Sequence, residues 1–424
     1  MIANSLSLYL HIPFCERKCG YCDFNSYALE GLVARGAVAG ATAHPGGTPS
    51  SEPPSSAGAQ QNRPYRSGPV AGGSWAEDYA EGLLRELEGR VSSLSLRGRR
   101  LATIFFGGGT PSLMPPRLIG RLIQLARENF ALEPEAEVTL EANPGTVDRA
   151  HFDGFRAAGV NRLSLGVQSL DDGRLALLER IHTAEEARLA VRAARGAGFE
   201  NLSVDLMFAL PGQSAEEFAR DLEGALALGT EHLSAYELTL EPGTDFTRRA
   251  RRGELPALPD EETSLAMYEL RDRLLAEAGF EYYEISNFAR PGYRCRHNLN
   301  YWRRGEYLGL GAGAHSLLGG RRFWNAMRPE DYLRRVRARG HAVAGEERVE
   351  GRKALGETLM LGLRLAEGVA LEEAERKTGL DVRKTFGEEL ARLEEAGLVV
   401  EERGYLRLTP RGRLLANEVL CQFG

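Results

Sequence analysis

Short β-rich segments alternate with amphipathic helical segments, and this alternation restricts the fold more than any other feature of the sequence. The β-rich runs span residues 6–11, 102–107, 137–142, 161–167, 201–208 and 231–238. From the second run on, they recur at a period of about thirty residues, the length of one strand and one helix with their loops. Repeated βα units of this kind predict an α/β protein with a parallel sheet, either open or closed into a barrel.

Composition divides the chain into three parts and one insertion. Residues 31–74 are dense in Gly, Ala, Pro and Ser. They bury too little apolar surface to offset their ordering entropy, so we predict a mobile insertion within a barrel domain over 1–260. An extension rich in aromatics, Gly and Asn, with a long ligand-facing loop, is predicted over 261–345. Residues 346–424 predict three helices and a hairpin that turns at Arg403–Gly404, a winged-helix-like α+β module.

Charge and composition exclude several classes of partner. The formal net charge is −6, so no basic field favours nucleic acid, although the winged-helix-like module keeps a nucleic-acid-associated protein as one alternative. No apolar run of about 18 residues predicts a membrane span. The N-terminus lacks the pattern of a secretory signal, and five cysteines in 424 residues do not form a disulfide framework. We therefore expect a cytoplasmic protein without a membrane span and without a nucleic-acid partner.

Glycines and polar residues follow successive predicted strands at their carboxyl ends. They are Gly107 to Thr110, Glu141, Gln168, Asp205 and Glu237. In a β/α barrel the carboxyl edge of the strands is where ligands bind. Each residue alone is accounted for as a loop cap or a turn former, but their recurrence after successive strands predicts one shared site.

The string CERKCGYCDF, directly after the first strand, carries Cys15, Cys19 and Cys22. Structural zinc sites use four ligands that arrive as two pairs, and ferredoxin runs supply four thiolates at a different spacing. Cys295 and Cys421 are isolated and distant in the sequence. Three thiolates on one loop instead suit a 4Fe-4S cluster with one open iron, which can chelate the amino and carboxylate groups of S-adenosylmethionine. The alternative is a group of structural cysteines without metal.

With Tyr21 before the third cysteine, C-x3-C-x2-C resembles the signature of the radical S-adenosylmethionine superfamily, whose fold is a partial or full β/α barrel. The longer string SLYLHIPFCERKCGYCDFNSY is similar to the HemN-like branch, which contains oxygen-independent coproporphyrinogen III dehydrogenase and related haem chaperones. Further matching strings extend the resemblance to residue 316: FFGGGTPS, EANP, NRLSLGVQS, RIHT, DLMFALPGQ, EISNFARPGYRCRHNLNYW and GLGAGAHS. The resemblance implies a partial barrel of about six βα units, with the extension and the C-terminal module.

The resemblance also implies roles for the residues that match family motifs. The cluster ligands would be Cys15, Cys19 and Cys22. The residues next to S-adenosylmethionine would be Tyr9, Tyr21, Gly108, Gly109, Thr110 and Glu141. The glycines would let backbone N–H groups approach its methionine end. The positions that hold a second S-adenosylmethionine in the dehydrogenase branch are Gln168, Arg180 and Asp205, and whether this chain binds a second molecule is open. In DLMFALPGQ, Ala209 stands where the family has glycine.

Two features bear on the choice between the branches. The dehydrogenase has a fourth cysteine two positions after the third, where this chain and the chaperone branch have phenylalanine, here Phe24. The second feature is RHNLNYW, residues 296–302, which resembles a haem-binding motif. In it His297 would ligate the haem iron, with Tyr301 and Trp302 beside the macrocycle. The alternative for His297 is a hydrogen-bonded structural histidine.

Three further residues carry weaker signals. His11 is expected beside the cysteine loop, Cys295 is an alternative haem contact, and the role of His315 is open. The expected function is that of a haem chaperone, which binds haem and transfers it to an acceptor protein. The cluster, its electron donor and S-adenosylmethionine would then support haem transfer rather than an enzymatic reaction. The alternative is the dehydrogenase, an oxidoreductase of porphyrin biosynthesis. Its tetracarboxylate substrate would need clustered basic groups, which the sequence lacks outside its surface arginine runs.

Overall fold

The computed structural model of the protein describes residues 5–29 and 74–424. The insertion predicted over 31–74 lies outside the described residues, apart from Ser74, the N-cap of the first helix. Within the two described ranges, none of the helices combines the length and the hydropathy that a membrane crossing requires.

Strands and helices alternate through most of the chain. The strands are β1 (Leu6–Ile12), β2 (Phe14–Cys15), β3 (Tyr27–Ala28), β4 (Arg100–Gly108), β5 (Ala131–Ala142), β6 (Arg162–Gln168), β7 (Leu202–Phe208), β8 (His232–Glu237), β9 (Glu281–Glu284), β10 (Asn287–Ala289), β11 (Tyr307–Leu310), β12 (His315–Leu318), β13 (Arg321–Asn325), β14 (Val343–Arg348), β15 (Val369–Ala370), β16 (Val399–Glu402) and β17 (Tyr405–Leu408). The helices are α1 (Trp75–Ser93), α2 (Pro116–Asn129), α3 (Arg149–Ala158), α4 (Asp172–Leu177), α5 (Ala184–Gly196), α6 (Ala215–Leu226), α7 (Asp245–Arg251), α8 (Glu261–Glu277), α9 (Arg296–Trp302), α10 (Pro329–Arg339), α11 (Gly351–Gly362), α12 (Leu371–Thr378), α13 (Val382–Glu395), α14 (Pro410–Leu414) and α15 (Ala416–Leu420).

Twelve strands form one sheet in the order β14-β13-β12-β11-β1-β4-β5-β6-β7-β8-β10-β9. The neighbours from β11 to β8 pair in parallel. Antiparallel strands extend the sheet at both ends. The six predicted strands correspond to β1 and β4 to β8, which lie side by side in chain order. The prediction of a partial β/α barrel is therefore confirmed.

The extension differs from its sequence-based prediction. Where the sequence predicts a long loop, β11 pairs in parallel with β1, and β12 to β14 continue the sheet as antiparallel strands. The glycines of GLGAG (residues 309–313) hide these strands from a hydrophobic-pattern argument. Gly309 is required by packing, because a Cβ there would lie 2.0 Å from the carbonyl oxygen of His315 on the adjacent strand.

The strands separate two environments because successive side chains point to opposite faces of the sheet. On β1 the residues packed under the helices are Leu6, Leu8, Leu10 and Ile12. Each such side chain contributes roughly 1.5 to 3 kcal/mol when fully buried. The alternate residues of β1, among them Tyr9, face the inside of the curved sheet. The same alternation runs through β4 to β8, so one face forms the core and the other forms a polar interior.

Helix starts follow signals that are present in the sequence. Thr183 and Glu186 form a reciprocal capping box at the start of α5, and Ser214 and Glu217 form another at the start of α6. Each box satisfies backbone N–H groups that have no partner within the first turn. The boxes fix where the chain leaves the carboxyl edge of the sheet and enters a helix.

The C-terminal part has its own hydrophobic cluster, formed mainly by α11, α13 and α15. Beside the helices, β16 and β17 form a hairpin that turns at Arg403 (φ 52°) and Gly404 (φ 79°). Positive φ at both turn positions is typical of a two-residue hairpin. The winged-helix-like module is therefore confirmed as part of the fold. The domain limits at 260 and 345 stay predictions.

A buried carboxylate joins α1 to the turn after β11. Glu86 accepts three hydrogen bonds of 2.8 to 2.9 Å, from the N–H of Gly311, Nδ2 of Asn325 and Oη of Tyr332. Burial raises the pKa of Glu86, and these donors with the charge of Arg90 oppose that shift. The carboxylate therefore fixes the glycine turn relative to the first helix.

Replacing Glu86 tests this connection. We expect Glu86→Ala to lower the free energy of unfolding by roughly 3 kcal/mol, because three buried donors lose their acceptor. Glu81→Ala is the control, since its exposed pair with Arg85 contributes less than about 0.5 kcal/mol. Urea unfolding followed by circular dichroism measures both variants, and equal losses would contradict the role of Glu86.

Candidate functional site

The cysteine loop lies at the carboxyl end of β1. Cys15 ends β2, which pairs in parallel with β3, so the two ends of the loop are held together. Inside the loop, the N–H of Cys22 donates to the carbonyl of Cys19 at 3.1 Å, and the Lys18 ammonium donates to the carbonyl of Phe24 at 3.0 Å. The loop is thus fixed at its base and by internal hydrogen bonds.

The three thiols are close enough to influence one another. Burial raises the pKa of Cys15 to about 11, and negative charge on Cys22 or Cys19 adds to the shift. Such thiols ionise when a metal replaces the proton, so the donor set fits an iron–sulfur cluster. Within 5–29 and 74–424, no three His, Cys, Asp or Glu side chains are grouped to hold a single metal ion. A 4Fe-4S cluster differs because its thiolates bind separate irons.

Arg180 connects the cysteine loop to the end of β6. Its Nη1 donates to Sγ of Cys19 at 3.5 Å, and its Nη2 donates to the carbonyl of Gly166 at 2.7 Å. A Cβ on Gly166 would lie 3.1 Å from Nε2 of Gln168, and Asp205 on β7 pairs in register with Gly166. The fold therefore brings Gln168, Arg180 and Asp205 together around one backbone position. The guanidinium can offset the negative charge of thiolate ligands.

The glycine turn after β4 packs against the start of the cysteine loop. The N–H of Gly109 donates to the carbonyl of Ile12 at 2.8 Å, and the N–H of Gly108 donates to Oε2 of Glu141 at 3.1 Å. A Cβ on Gly109 would lie 2.6 Å from the carbonyl oxygen of Phe14. The glycines therefore allow close backbone packing. Their N–H groups are engaged within the protein, which differs from the expectation that they are free to meet a ligand.

A hydrogen-bonded chain links the interior of the sheet to the cysteine loop. Tyr9 Oη lies 2.9 Å from Nδ1 of His11, and Nε2 of His11 lies 2.9 Å from the carbonyl oxygen of Asn25. Because a carbonyl only accepts, Nε2 carries the proton and Tyr9 donates to Nδ1. Burial lowers the pKa of His11 and keeps it neutral. The prediction that His11 lies beside the loop is confirmed.

A cavity of about 300 Å³ lies inside the curved sheet. It is at the small end of the range of roughly 300 to 1,000 Å³ for ligand pockets. The side chains that line it are Tyr9, Phe105, Glu141, Arg162, Ser164, Asp205, His232, Ser234, Tyr236, Asn287, His297, Asn298 and Tyr301. Four of the predicted cofactor residues therefore share this cavity with His297.

Two carboxyl groups in the cavity, those of Glu141 and Asp205, have raised pKa values. Burial, and then the charge of Asp205, raise the pKa of Glu141 to about 8. Burial also raises the pKa of Asp205, while the hydroxyl groups of Ser164 and Ser203 donate to it at 3.0 and 3.3 Å. Glu141 is thus protonated near neutral pH. It can donate one hydrogen bond and accept others, which suits a ligand rich in hydroxyl groups.

The amino end of α9 closes the floor of the cavity. Glu137 accepts the N–H groups of Arg296 and His297 at 2.9 and 3.0 Å, where a carboxylate is favoured by the helix dipole. The ring of His297 contacts Oγ1 of Thr103 through Nδ1 (2.7 Å) and Oη of Tyr301 through Nε2 (3.1 Å). Burial lowers the pKa of His297 to about 3. The ring is neutral, and both of its nitrogens are occupied.

Comparisons with known proteins agree with this architecture. Residues 9–224 match the radical SAM superfamily, and residues 350–415 match the HemN C-terminal domain. The coproporphyrinogen III oxidase HemN of Escherichia coli has the same fold, with a TM-score of 0.77 at 24% identity over 100% of this chain and 91% of that chain. The heme chaperone HemW of Escherichia coli K12 is 37% identical over 99% of this chain and 98% of its own length. HemW of Mycobacterium tuberculosis H37Rv is 36% identical over 99% and 95%.

The chain belongs to the HemW family of radical SAM proteins. Within this HemW-family protein, the aromatic residues of RHNLNYW do not surround an open slot. Tyr301 packs edge-on against His297 and Tyr307 at centroid distances of 4.9 and 4.7 Å. Trp302 lies elsewhere, under the guanidinium of Arg364 at 4.9 Å. The role of His297 in haem binding stays a prediction.

The polar interior contains residues that the strand-end argument misses. Arg162 and His232 begin β6 and β8, at the opposite end from the predicted edge, and both line the cavity. Burial lowers the pKa of Arg162, but acidic groups around it, among them the carboxyl groups of Glu137 and Asp205, raise it overall. The signal that could have found these residues is polar side chains at every second position of apolar strands, as in RLSLGVQ and HLSAYE.

Ala209 is a strained departure from the HemW-family motif. Its φ of 55° lies in the left-handed region, where glycine is favoured and other L-residues lose roughly 1 to 2 kcal/mol. The residue follows β7 directly and is buried. The chain thus adopts a conformation that favours glycine at a residue that carries a methyl group.

The protonation of Glu141 can be tested through the pH dependence of stability. Its pKa rises from 4.5 to about 8 on folding, so between these values the folded state holds a proton that the unfolded state has lost. Stability contributed by Glu141 therefore falls as pH rises through this window. Relative to Glu141→Gln, wild type should lose roughly 2 to 4 kcal/mol from pH 5 to pH 8.5. Denaturant unfolding measures this, with the exposed Glu185→Gln as control. Parallel profiles for wild type and Glu141→Gln would contradict it.

Proposed function

We propose that this protein is a haem chaperone that carries a 4Fe-4S cluster and S-adenosylmethionine and transfers haem to an acceptor protein. The observation that carries the proposal is Phe24, which stands at the position where the dehydrogenase branch has its fourth cysteine and whose side chain is 64% exposed. Similarity to HemW proteins over nearly the whole chain supports the same choice.

The three cysteines of the loop would hold the cluster. When bound, the cluster supplies single electrons at an open iron, delivered by an external donor. Around it, Arg180 balances thiolate charge through Cys19, and the Tyr9–His11–Asn25 chain fixes the loop relative to the interior. All five cysteines are free, as expected in the reducing cytoplasm.

S-adenosylmethionine would lie between the cluster and the cavity. The protonated carboxyl group of Glu141 would donate to a hydroxyl group of S-adenosylmethionine. Asp205, which already accepts hydrogen bonds from Ser164 and Ser203, would accept from another. Tyr9 and Tyr21 would flank it, with Gln168 and Arg180 at the rim. The N–H of Thr110 donates to the carbonyl oxygen of Phe14 at 2.7 Å, which fixes the position of Thr110. A second molecule of S-adenosylmethionine would compete for the same few groups in a cavity of about 300 Å³.

The second candidate function is oxygen-independent oxidation of coproporphyrinogen III, favoured by the fold shared with HemN. Its substrate carries four carboxylates and needs several cationic partners. Among the described residues that line the cavity, Arg162 is the only Arg or Lys, and the acidic groups Glu137 and Asp205 lie beside it. The interior is therefore poorly matched to a tetracarboxylate.

Anaerobic reconstitution with iron and sulfide tests the cluster and the function together. We expect wild type and Cys421→Ala, the matched exposed-cysteine control, to bind iron and sulfide. Cys22→Ala should bind roughly tenfold less or lower, because two thiolates cannot retain the cluster. Metal analysis and visible absorption provide the measurement.

The reconstituted protein then decides between the two functions. A chaperone shifts the Soret band of added haem and passes the haem to an apo-acceptor on mixing. It forms no protoporphyrinogen from coproporphyrinogen III beside a positive control. Turnover of the porphyrinogen, or the absence of any haem-dependent spectral change, would overturn the proposal.

A further inference from the structure

We propose that His315 binds the haem iron, on the inner face of the strands β11 to β14. This inference rests on the proposed function and names the iron ligand for it. No other histidine of the described chain combines an exposed side chain with ring nitrogens that have no hydrogen bond.

The register of the sheet places His315 on the same face as the cavity. Gly309 on β11 pairs with Tyr9, whose ring lines the cavity. Tyr307, two residues before Gly309, therefore shares this face, and it pairs with Leu317 on β12. His315 lies two residues before Leu317 and points the same way. The imidazole is thus on the inner side of the sheet, near the carboxyl end of β11 and β1.

The imidazole of His315 is exposed and has no hydrogen bond to either ring nitrogen among the described residues. It is held instead by Trp324 on β13, its partner in register, with ring centroids 5.7 Å apart and planes inclined by 25°. Gly345 on β14 makes room for the indole, because a Cβ there would lie 2.4 Å from the Trp324 ring. One face of the imidazole is therefore covered, while the nitrogen lone pair stays accessible.

The other histidines of the described ranges are less available. The four with both ring nitrogens hydrogen-bonded are His11, His182, His232 and His297. His151 binds Asp148 on the outer surface at α3. His341 has a buried Nδ1 and lies beside Arg90 and Arg339, away from the inner face.

The charge state of His315 suits iron ligation. Partial burial, and then the charge of Arg322, lower its pKa, with Glu347 opposing. The ring is neutral at physiological pH, which is the form that ligates haem iron. The ring makes no hydrogen bond to the neighbouring strands. It can therefore rotate toward an incoming iron without breaking a buried contact.

The surroundings of His315 also match the rest of a haem molecule. Arg304, Arg322 and Lys353 contact only two carboxylates, Glu347 and Glu357. This leaves one excess positive charge for a haem propionate.

By contrast, haem at His297 would require a rearrangement. Its Nε2 is held by Tyr301, and the cavity above it is about 300 Å³. A porphyrin that reached this nitrogen would have to displace Tyr301 and the floor formed by α9. At His315 the side chain is exposed, and among the described residues neither ring nitrogen has a hydrogen bond to break.

Haem titration of the reconstituted full-length protein tests this assignment. The variants are His315→Ala, His297→Ala and, as the exposed control, His151→Ala. We expect His315→Ala to weaken haem binding roughly tenfold or more and to lose the Soret spectrum of imidazole-ligated haem, while His151→Ala matches wild type. Added imidazole should restore that spectrum to His315→Ala by replacing the missing ligand. His315 is exposed, so circular dichroism of this variant should be unchanged.

The outcomes separate this inference from the function on which it rests. If wild type binds haem and His315→Ala binds it equally well, the assignment is wrong and the chaperone function stands. Loss of binding in His315→Ala without rescue by imidazole also overturns the assignment, since the loss then has another cause. If wild type produces no haem-dependent shift, the proposed function fails and the assignment fails with it.

Discussion

The structure depends on one constraint, the two-sided character of parallel β-strands. Each of the strands β1 and β4 to β8 must bury apolar residues under the helices at every second position and present the remaining residues to the inside of the sheet. The helix side consists of Leu, Val, Ile and Phe packed at core density. The inner side has too little space for water to solvate its charges fully, so the polar residues there must satisfy one another. The binding site is therefore a consequence of how the fold divides its strands.

This division explains why the charges of the interior appear as a connected set. Arg162 is fully buried, which is unfavourable for an isolated guanidinium, yet the negative groups of Glu137 and Asp205 keep it charged. Glu137 also holds the start of α9, and α9 brings His297 to the floor. Removing any member leaves an unpaired buried group.

The sequence predicted the elements whose signals are local. The six strands and the hairpin at Arg403–Gly404 follow from patterns within ten or twenty residues. The residues of the polar interior are marked by a local signal, polar side chains at every second position of β6 and β8. Which of these side chains contact one another could not be predicted, because their contacts join distant segments. Arg162 and Cys295, for example, influence each other across more than 100 positions. The strands of the extension were missed for a different reason, since glycines such as Gly309 are demanded by neighbours that the sequence does not reveal.

The cysteine loop and the extension are physically joined, although they are far apart in sequence. Asn25 donates to the carbonyls of Ala312 and Met327, both at 3.0 Å. A Cβ on Gly313 would lie 2.4 Å from Nδ2 of Asn25, so this close approach requires glycine. Glu86 holds the same turn from the side of α1. The ends of the β12–β13 hairpin are thus hydrogen-bonded to the loop that carries Cys15, Cys19 and Cys22. A conformational change of that loop on cluster binding would therefore shift the ends of the hairpin.

The separation of a small interior cavity from an open inner face has a further consequence for carriage of a ligand. A group bound in the cavity is surrounded by polar residues, many of them buried, so its release requires several hydrogen bonds to break. A carrier, however, must hand over its ligand, and affinity is adjusted mainly through the rate of dissociation. A macrocycle held by the exposed imidazole of His315, as proposed above, would be within reach of an acceptor protein while still bound. The enclosed cavity and this exposed residue lie on the same face of the sheet, so the fold can retain a ligand in one place and exchange a ligand in the other.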